Sequence, residues 1–174
     1  MFVSGNLALD LAGTLKWRRD TPEETLDSPD DLDDWLVRAG VLDTPPGADP
    51  ADLTSARRLR EAAYALVLAH TGGRPLPPDA LATVNEYAAV APVRLALTAD
   101  GLRRTGPVGA ALSDVARSLL TLLSETGTTV KECAKPACTR LYVDRSRGAR
   151  RTWCGMQECG SQAKMAAYRA RRRA

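Results

Sequence analysis

The chain has four cysteines, Cys133, Cys138, Cys154 and Cys159, which form two C-x4-C pairs separated by 15 residues. Two close thiol pairs on either side of a hairpin-length spacer can offer four tetrahedral ligands to one structural zinc ion. Each pair supplies two ligands from one knuckle, and the spacer is long enough to leave the metal and return. Residues 139–144 are expected to form one strand, 146–149 a turn and 150–153 the returning strand. The Ala- and Arg-rich stretch after Cys159 reads as a helix. That places Cys159 at a helix N-terminus, where backbone donors favour the thiolate that zinc requires. Knuckle, hairpin and ligand-bearing helix give a treble-clef-like order.

Three other chemistries use cysteines. Disulfides suit oxidising compartments, and the opening MFVSGNLALD has no basic segment ahead of an apolar run. A redox dithiol switch needs exposed thiols of low pKa. Iron–sulfur clusters use different cysteine spacings. Structural zinc is the leading expectation, with one ion held by all four thiolates. The single histidine, His70, is expected at a helix end on the surface and not at a metal.

The cysteines coincide with a change of charge. Residues 1–130 carry 12 Lys and Arg against 18 Asp and Glu, whereas residues 131–174 carry 12 against 3. Four thiolates and one Zn(II) bring the net charge of the second part from +9 to about +7. One basic cluster, Arg145, Arg147, Arg150 and Arg151, falls in the expected zinc hairpin. Another, Lys164, Arg169, Arg171, Arg172 and Arg173, falls in the tail, with Tyr168 beside it. Guanidinium groups bind phosphate bidentately and stack on bases. Residues Arg147, Arg150, Arg151, Lys164, Tyr168, Arg169 and Arg171 are therefore the candidate nucleic-acid surface, with duplex DNA the first expectation. A single-stranded RNA or ribosomal partner, stacking on Tyr168, is the alternative. A redox-sensitive protein-interaction module is the third reading. Trp153 and Met165 are expected to pack the small zinc core.

The C-terminal residues resemble the CGNR zinc-finger family. The resemblance rests on Cys133, Cys138, Asp144, Ser146, Arg147, Arg151, Trp153, Cys154, Met156, Cys159, Gly160, Lys164, Tyr168 and Arg169. NLALDLAGTL and SPDDLDDWLVRAGVL resemble the opening of the N-terminal ABATE domain that accompanies this finger. The resemblance implies a bacterial, stress-associated, DNA-binding transcription regulator. It departs from the family pattern at Ser161-Gln162, where Asn-Arg is usual, and at Gly13, where Asn is common in the opening motif.

The rest of the chain must position this module. In the opening NLALDLAGTL, Leu7, Leu9 and Leu11 alternate, while Leu11 with Leu15 and Ala8 with Ala12 fit a helical period. A helix capped by Ser28 and Pro29 buries Leu32, Trp35 and Leu36, and Gly40 closes it. A long helix over about 51–70 buries Leu53, Leu59, Ala63, Leu66 and Val67, with Arg57, Arg58 and Glu61 facing out. Asp79 is expected to cap a short helix. Alternation at Val93, Leu95 and Leu97, then Ala-Asp-Gly, predicts a hairpin over about 93–105. A last helix runs from Pro107 to about Glu125. The expected fold is mainly α (α+β): a helical domain with a small hairpin over 1–130, suited to sensing an effector or forming a homodimer, then a zinc finger over 131–174. The longest apolar run, residues 62–69, is too short for a membrane span, so the expected location is cytoplasmic with no membrane partner. No Gly-rich phosphate loop and no nucleophile–histidine pairing suggests an enzyme.

Overall fold

Asn6 decides how the ambiguous opening folds. The computed structural model of the chain describes residues 2–155, 159–161, 164–165, 169 and 172. In it, the extended Asn6 accepts the N–H groups of Ala8 and Leu9 on its side-chain oxygen and caps helix α1, Leu7–Ala12. Its amide nitrogen donates to the carbonyl of Ser118, 3.0 Å away. The cap thus starts the helix and also ties it to the last helix of the domain. Helical period wins over alternation because Ala8, Leu9, Leu11 and Ala12 are all buried. The chain then forms two short strands, β1 (Leu15–Lys16) and β2 (Glu23–Glu24), paired antiparallel.

Helix α2, Pro29–Arg38, begins as its sequence demands. Ser28 and Asp31 form a capping box, Pro29 occupies the first turn, and Leu32, Trp35 and Leu36 are buried. Helix α3, Pro50–Thr71, carries an equivalent box between Asp49 and Asp52. It packs against α1, α2, helix α4 (Pro78–Ala89) and helix α5 (Val108–Ser124), so it is the axis of the core. Arg58 and Glu61 are exposed as expected and Arg57 is partly so, but Arg57 and Glu61 are also engaged. Arg57 turns back to donate to the carbonyl of Leu26 at 2.6 and 3.0 Å, and Glu61 is engaged by Arg18 and Arg60. Arg60 itself is buried and held by Glu24 at 2.6 Å. Asp79 does not cap α4. Pro77 and Pro78 set its entry instead, and Asp79 lies within the first turn.

Strands β3 (Arg94–Thr98) and β4 (Gly101–Thr105) form the expected hairpin, with Leu97 opposite Leu102. Asp43 grips it through the Arg104 backbone, accepting its N–H at 2.8 Å and donating to its carbonyl at 3.1 Å. Leu95, Leu97 and Leu102 remain exposed.

The last part departs most from the sequence expectation. Strand β6 (Leu141–Val143) pairs with β5 (Val130–Glu132), upstream of the knuckle, and not with 150–153. The turn over 146–149 does form, closed by Ala149 donating to Ser146. The Ser146 hydroxyl then accepts the N–H groups of Arg150 and Arg151, so they are not available to a ladder. Strand alternation divides β6 between two cores. Leu141 and Val143 join the helical core, while Tyr142 points the other way into the cysteine cluster. No helix among the described residues is long and apolar enough to cross a membrane.

Candidate metal centre

All four cysteines are buried, and their sulfur atoms lie within 4.8 Å of one another. Cys133 and Cys138 come from the knuckle between β5 and β6. The knuckle is closed by Cys133 donating to the Arg140 carbonyl at 2.9 Å and Cys138 donating to Lys135 at 2.9 Å. Cys154 follows the 146–149 turn, and its N–H approaches the Cys133 sulfur at 3.5 Å. Cys159 enters the following helical turn, where Gly160 donates to Gly155.

The sulfur spacing tests the fit of a metal. Ligands about 2.3 Å from zinc at tetrahedral angles stand about 3.8 Å apart. Cys138 and Cys154 are 3.8 Å apart, and Cys154 and Cys159 are 3.6 Å apart. Electrostatics points the same way. Hydrogen bonds from Cys138 and Cys154 drive the Cys133 thiol pKa far down, against burial. Burial first, then the charge of its neighbours, pushes Cys159 up to about 12. Thiolates packed this closely repel one another. A divalent cation supplies the missing charge and lets all four ionise. The set is sulfur-only and closed, so it suits one structural zinc ion and leaves no position for catalysis.

Aromatic side chains close the centre. Tyr142 is fully buried and donates from its hydroxyl to the Arg151 carbonyl at 2.8 Å; burial, then the Asp144 charge, pushes its pKa up to about 12. Trp153 packs on the cluster as expected. Met165 does not; it is 51% exposed. Its place is taken by Trp17, which sequence reasoning missed. Trp17 lies more than 110 positions upstream and has a left-handed backbone (φ 54°), a conformation uncommon outside glycine. Lys135 sits over its ring at 4.4 Å. Next to it, the Arg18 N–H donates to the Thr139 hydroxyl at 3.2 Å, and Arg19 pairs with Glu132 at 2.7 Å. The 17–19 loop therefore clasps the finger to the helical domain.

Asp144 organises the turn below the centre. Its carboxylate accepts Lys131 at 2.8 Å on one oxygen, and the Ser146 N–H and hydroxyl on the other. Burial works to raise its pKa, but these hydrogen bonds outweigh burial and hold it well below the usual carboxylate range.

The candidate nucleic-acid residues divide. Arg147, Arg150, Lys164 and Arg169 are exposed. Tyr168 and Arg171 lie outside the described residues. Arg151, expected on the phosphate surface, is turned inward. Its Nε donates to the Trp153 carbonyl at 2.8 Å, and its Nη2 donates to Cys154 and, at 3.3 Å, to Val3. The guanidinium also stacks 4.4 Å above the Tyr142 ring. It braces the second knuckle.

Two family models match, one on each part of the chain. The ABATE model, described as "Putative stress-induced transcription regulator", matches residues 5–126, and the CGNR zinc finger model matches residues 129–172. The chain belongs to the ABATE family. Its CGNR finger is the zinc site built above. A search of curated proteins gave no match. Within the ABATE domain, Gly13 ends α1 with ordinary helical dihedrals. A Cβ there would meet only van der Waals neighbours, including Arg140 Nε at 3.5 Å, so glycine is not required by the backbone.

Proposed function

We propose that this ABATE protein is a DNA-binding transcription regulator acting in a stress response, with the CGNR finger as its phosphate-binding surface. The observation that carries this reading is the sorting of cations around the zinc. Lys131 and Arg151 are consumed inside the finger, while Arg147, Arg150, Lys164 and Arg169 stand outward on a rigid metal scaffold. The remainder of the chain is acidic, so attraction to a polyanion is confined to this face.

Duplex DNA is favoured over single-stranded RNA because, among the described residues of the finger, the exposed groups are cations and not stacking aromatics; Trp17 and Trp153 both pack on the zinc core. A redox role has less support because all four thiols are buried. The test is fluorescence anisotropy of the zinc-loaded full chain on random duplex DNA at several salt concentrations, with single-stranded RNA in parallel. Four phosphate contacts give a slope of log affinity on log salt of about −3.6, or roughly a hundredfold loss between about 50 and 200 mM. Charge reversal at Arg147 and Arg150 tests the surface without cutting the chain, since Leu141 and Val143 belong to the helical core. Affinity insensitive to salt, or untouched by both reversals, refutes the reading.

A further inference from the structure

Strand β3 presents an open edge. On β4, the Arg104 N–H and carbonyl are both taken by Asp43, so they face away from Leu95, the residue opposite. Residues paired across an antiparallel ladder face inward or outward together, and the pattern repeats every second residue. The backbone groups of Leu95 and Leu97 therefore face outward on the far edge of the hairpin. Among the described residues, nothing takes them. The β4 edge is held by Asp43 and the β3 edge is open. It is also unguarded: Arg94–Thr98 is exposed throughout, and no lysine, proline or bulge interrupts it.

The hairpin has reason to take another strand. Leu95, Leu97 and Leu102 share one of its faces and are 63%, 86% and 44% exposed. Its main packing is strand on strand, and a two-stranded hairpin is marginal by itself. The sequence of β3 identifies the partner, because the strand is complementary to itself. Antiparallel pairing over its whole length is centred on Ala96. Leu95 then stands opposite Leu97 of the second copy, twice by symmetry, and each such pair exchanges both backbone bonds. The leucines of the two hairpins become cross-strand neighbours. We propose that this protein forms a two-fold dimer by adding β3 to β3 of a second copy in this register.

The charges select the same edge. Arg94 stands opposite Thr98 of the second copy, one step from the turn that carries its Asp100. Arg94 is the only charged residue lining a groove of about 450 Å³ at the foot of β3, so an acidic turn arriving there is complementary. Pairing β4 with itself fails on both counts. Centred on Arg103, it would set that cation against its own copy and would displace Asp43 from the Arg104 backbone. The inference does not depend on DNA binding.

The test is sedimentation equilibrium of the zinc-loaded full chain. The contact is one strand long and belongs with the smaller interfaces, so it calls for protein at about 5 to 500 μM. A reversible monomer–dimer equilibrium is expected. Leu97→Lys weakens it about tenfold or more, by removing two cross-strand leucine pairs and placing a charge on the edge. Asp100→Arg weakens it several-fold, and adding Arg94→Asp to that variant restores it. Ala96→Cys gives a disulfide-linked dimer under mild oxidation, because residues facing across a non-hydrogen-bonded pair stand about 4.5 Å apart at Cα, within disulfide range. Arg103→Cys does not. Every substituted residue is exposed, so the melting temperature of the monomer stays nearly unchanged. A chain that stays monomeric across the concentration range overturns the proposal. So does a dimer that Leu97→Lys leaves intact, or one that Arg103→Cys links as fast as Ala96→Cys.

Discussion

Arg151 separates a structural role from a nucleic-acid role, and Arg151→Ala measures which it plays. Its Nε bond to the Trp153 carbonyl and its Nη2 bond to the Cys154 carbonyl hold the segment that delivers the zinc ligand Cys154. Bonds to a charged group contribute about 1.5–3 kcal/mol each, and the half-exposed setting argues for the lower end. The guanidinium over Tyr142 adds about 0.5–1 kcal/mol. The bond to Val3, at 3.3 Å, is taken as zero. Contacts sharing one side chain are not additive and water replaces part of the loss, which brings the total to about 2–3 kcal/mol. For a chain of this size that lowers the melting temperature by roughly 5–10 °C. Arg151→Lys recovers little, because an ammonium cannot donate along two directions of a planar fork.

The assay pairs thermal unfolding with zinc competition against a chromophoric chelator, and sets both beside the DNA salt slope. Arg151→Ala is expected to melt earlier and surrender zinc faster. Arg147→Ala and Arg150→Ala are expected to keep stability within about 0.5 kcal/mol and to flatten the salt slope by about 0.9 each. An Arg151→Ala protein with unchanged melting and zinc retention but a flatter slope refutes the assignment of Arg151 as a brace.

Removing zinc with a chelator at neutral pH is expected to shift tryptophan emission to the red, since Trp17 and Trp153 both lie on the cluster. It should also lower a single cooperative unfolding transition, because Leu141 and Val143 are shared with the helical core; two separate transitions count against that shared core. Ser28→Ala removes the cap of α2 and should cost about 1 kcal/mol in chemical denaturation. Glu24→Gln should cost about 2 kcal/mol at neutral pH by leaving buried Arg60 with a weaker partner. Burial works to raise the Glu24 pKa, but the hydrogen bonds and charge of Arg60 lower it overall. The pair's contribution is therefore full above the unfolded carboxylate pKa of about 4.3 and is lost as pH falls through the lower folded value. The gap between wild type and Glu24→Gln should close on acidification, and a constant gap across that range refutes the pairing.

What was readable in the sequence was short-range. Ser28, Pro29 and Asp31 announce α2 within four positions because capping is a local hydrogen-bond problem. The four thiols are equally legible, because a zinc knuckle fixes its spacing over a few residues. The pairing of β6 was not readable. Residues 150–153 look like a strand, but the Ser146 hydroxyl takes the Arg150 and Arg151 N–H groups, a competition between side chain and ladder that periodicity does not register. Trp17 was equally hidden: its contact with the zinc core is made across most of the chain, and no spacing rule reaches that far. The opening segment shows the middle case. Asn6 is a good cap by type, yet alternation competed with it until the amide found Ser118 on α5.

The same distinction limits what the charge count of residues 131–174 means. Four thiolates with one Zn(II) carry a net −2, and Asp144 adds a buried carboxylate beneath them. Cations must lie close to both. Lys131 sits on Asp144, Arg151 wraps the carbonyl of Cys154, and Lys135 covers Trp17 beside the cluster. Arg140 is buried at the junction with the helical domain. Part of the basic surplus is therefore the counter-charge of the zinc site and does not reach solvent as free positive charge. Read from composition, all twelve Lys and Arg of this segment could meet phosphate, and the salt slope would approach about −11. Read from the structure, the exposed cations among the described residues are Arg145, Arg147, Arg150, Lys164, Arg169 and Arg172, and the slope they can give, about −5, falls well short of that. A measured slope near the compositional value would mean that the inward cations are released on binding, and that the finger rearranges when it meets DNA.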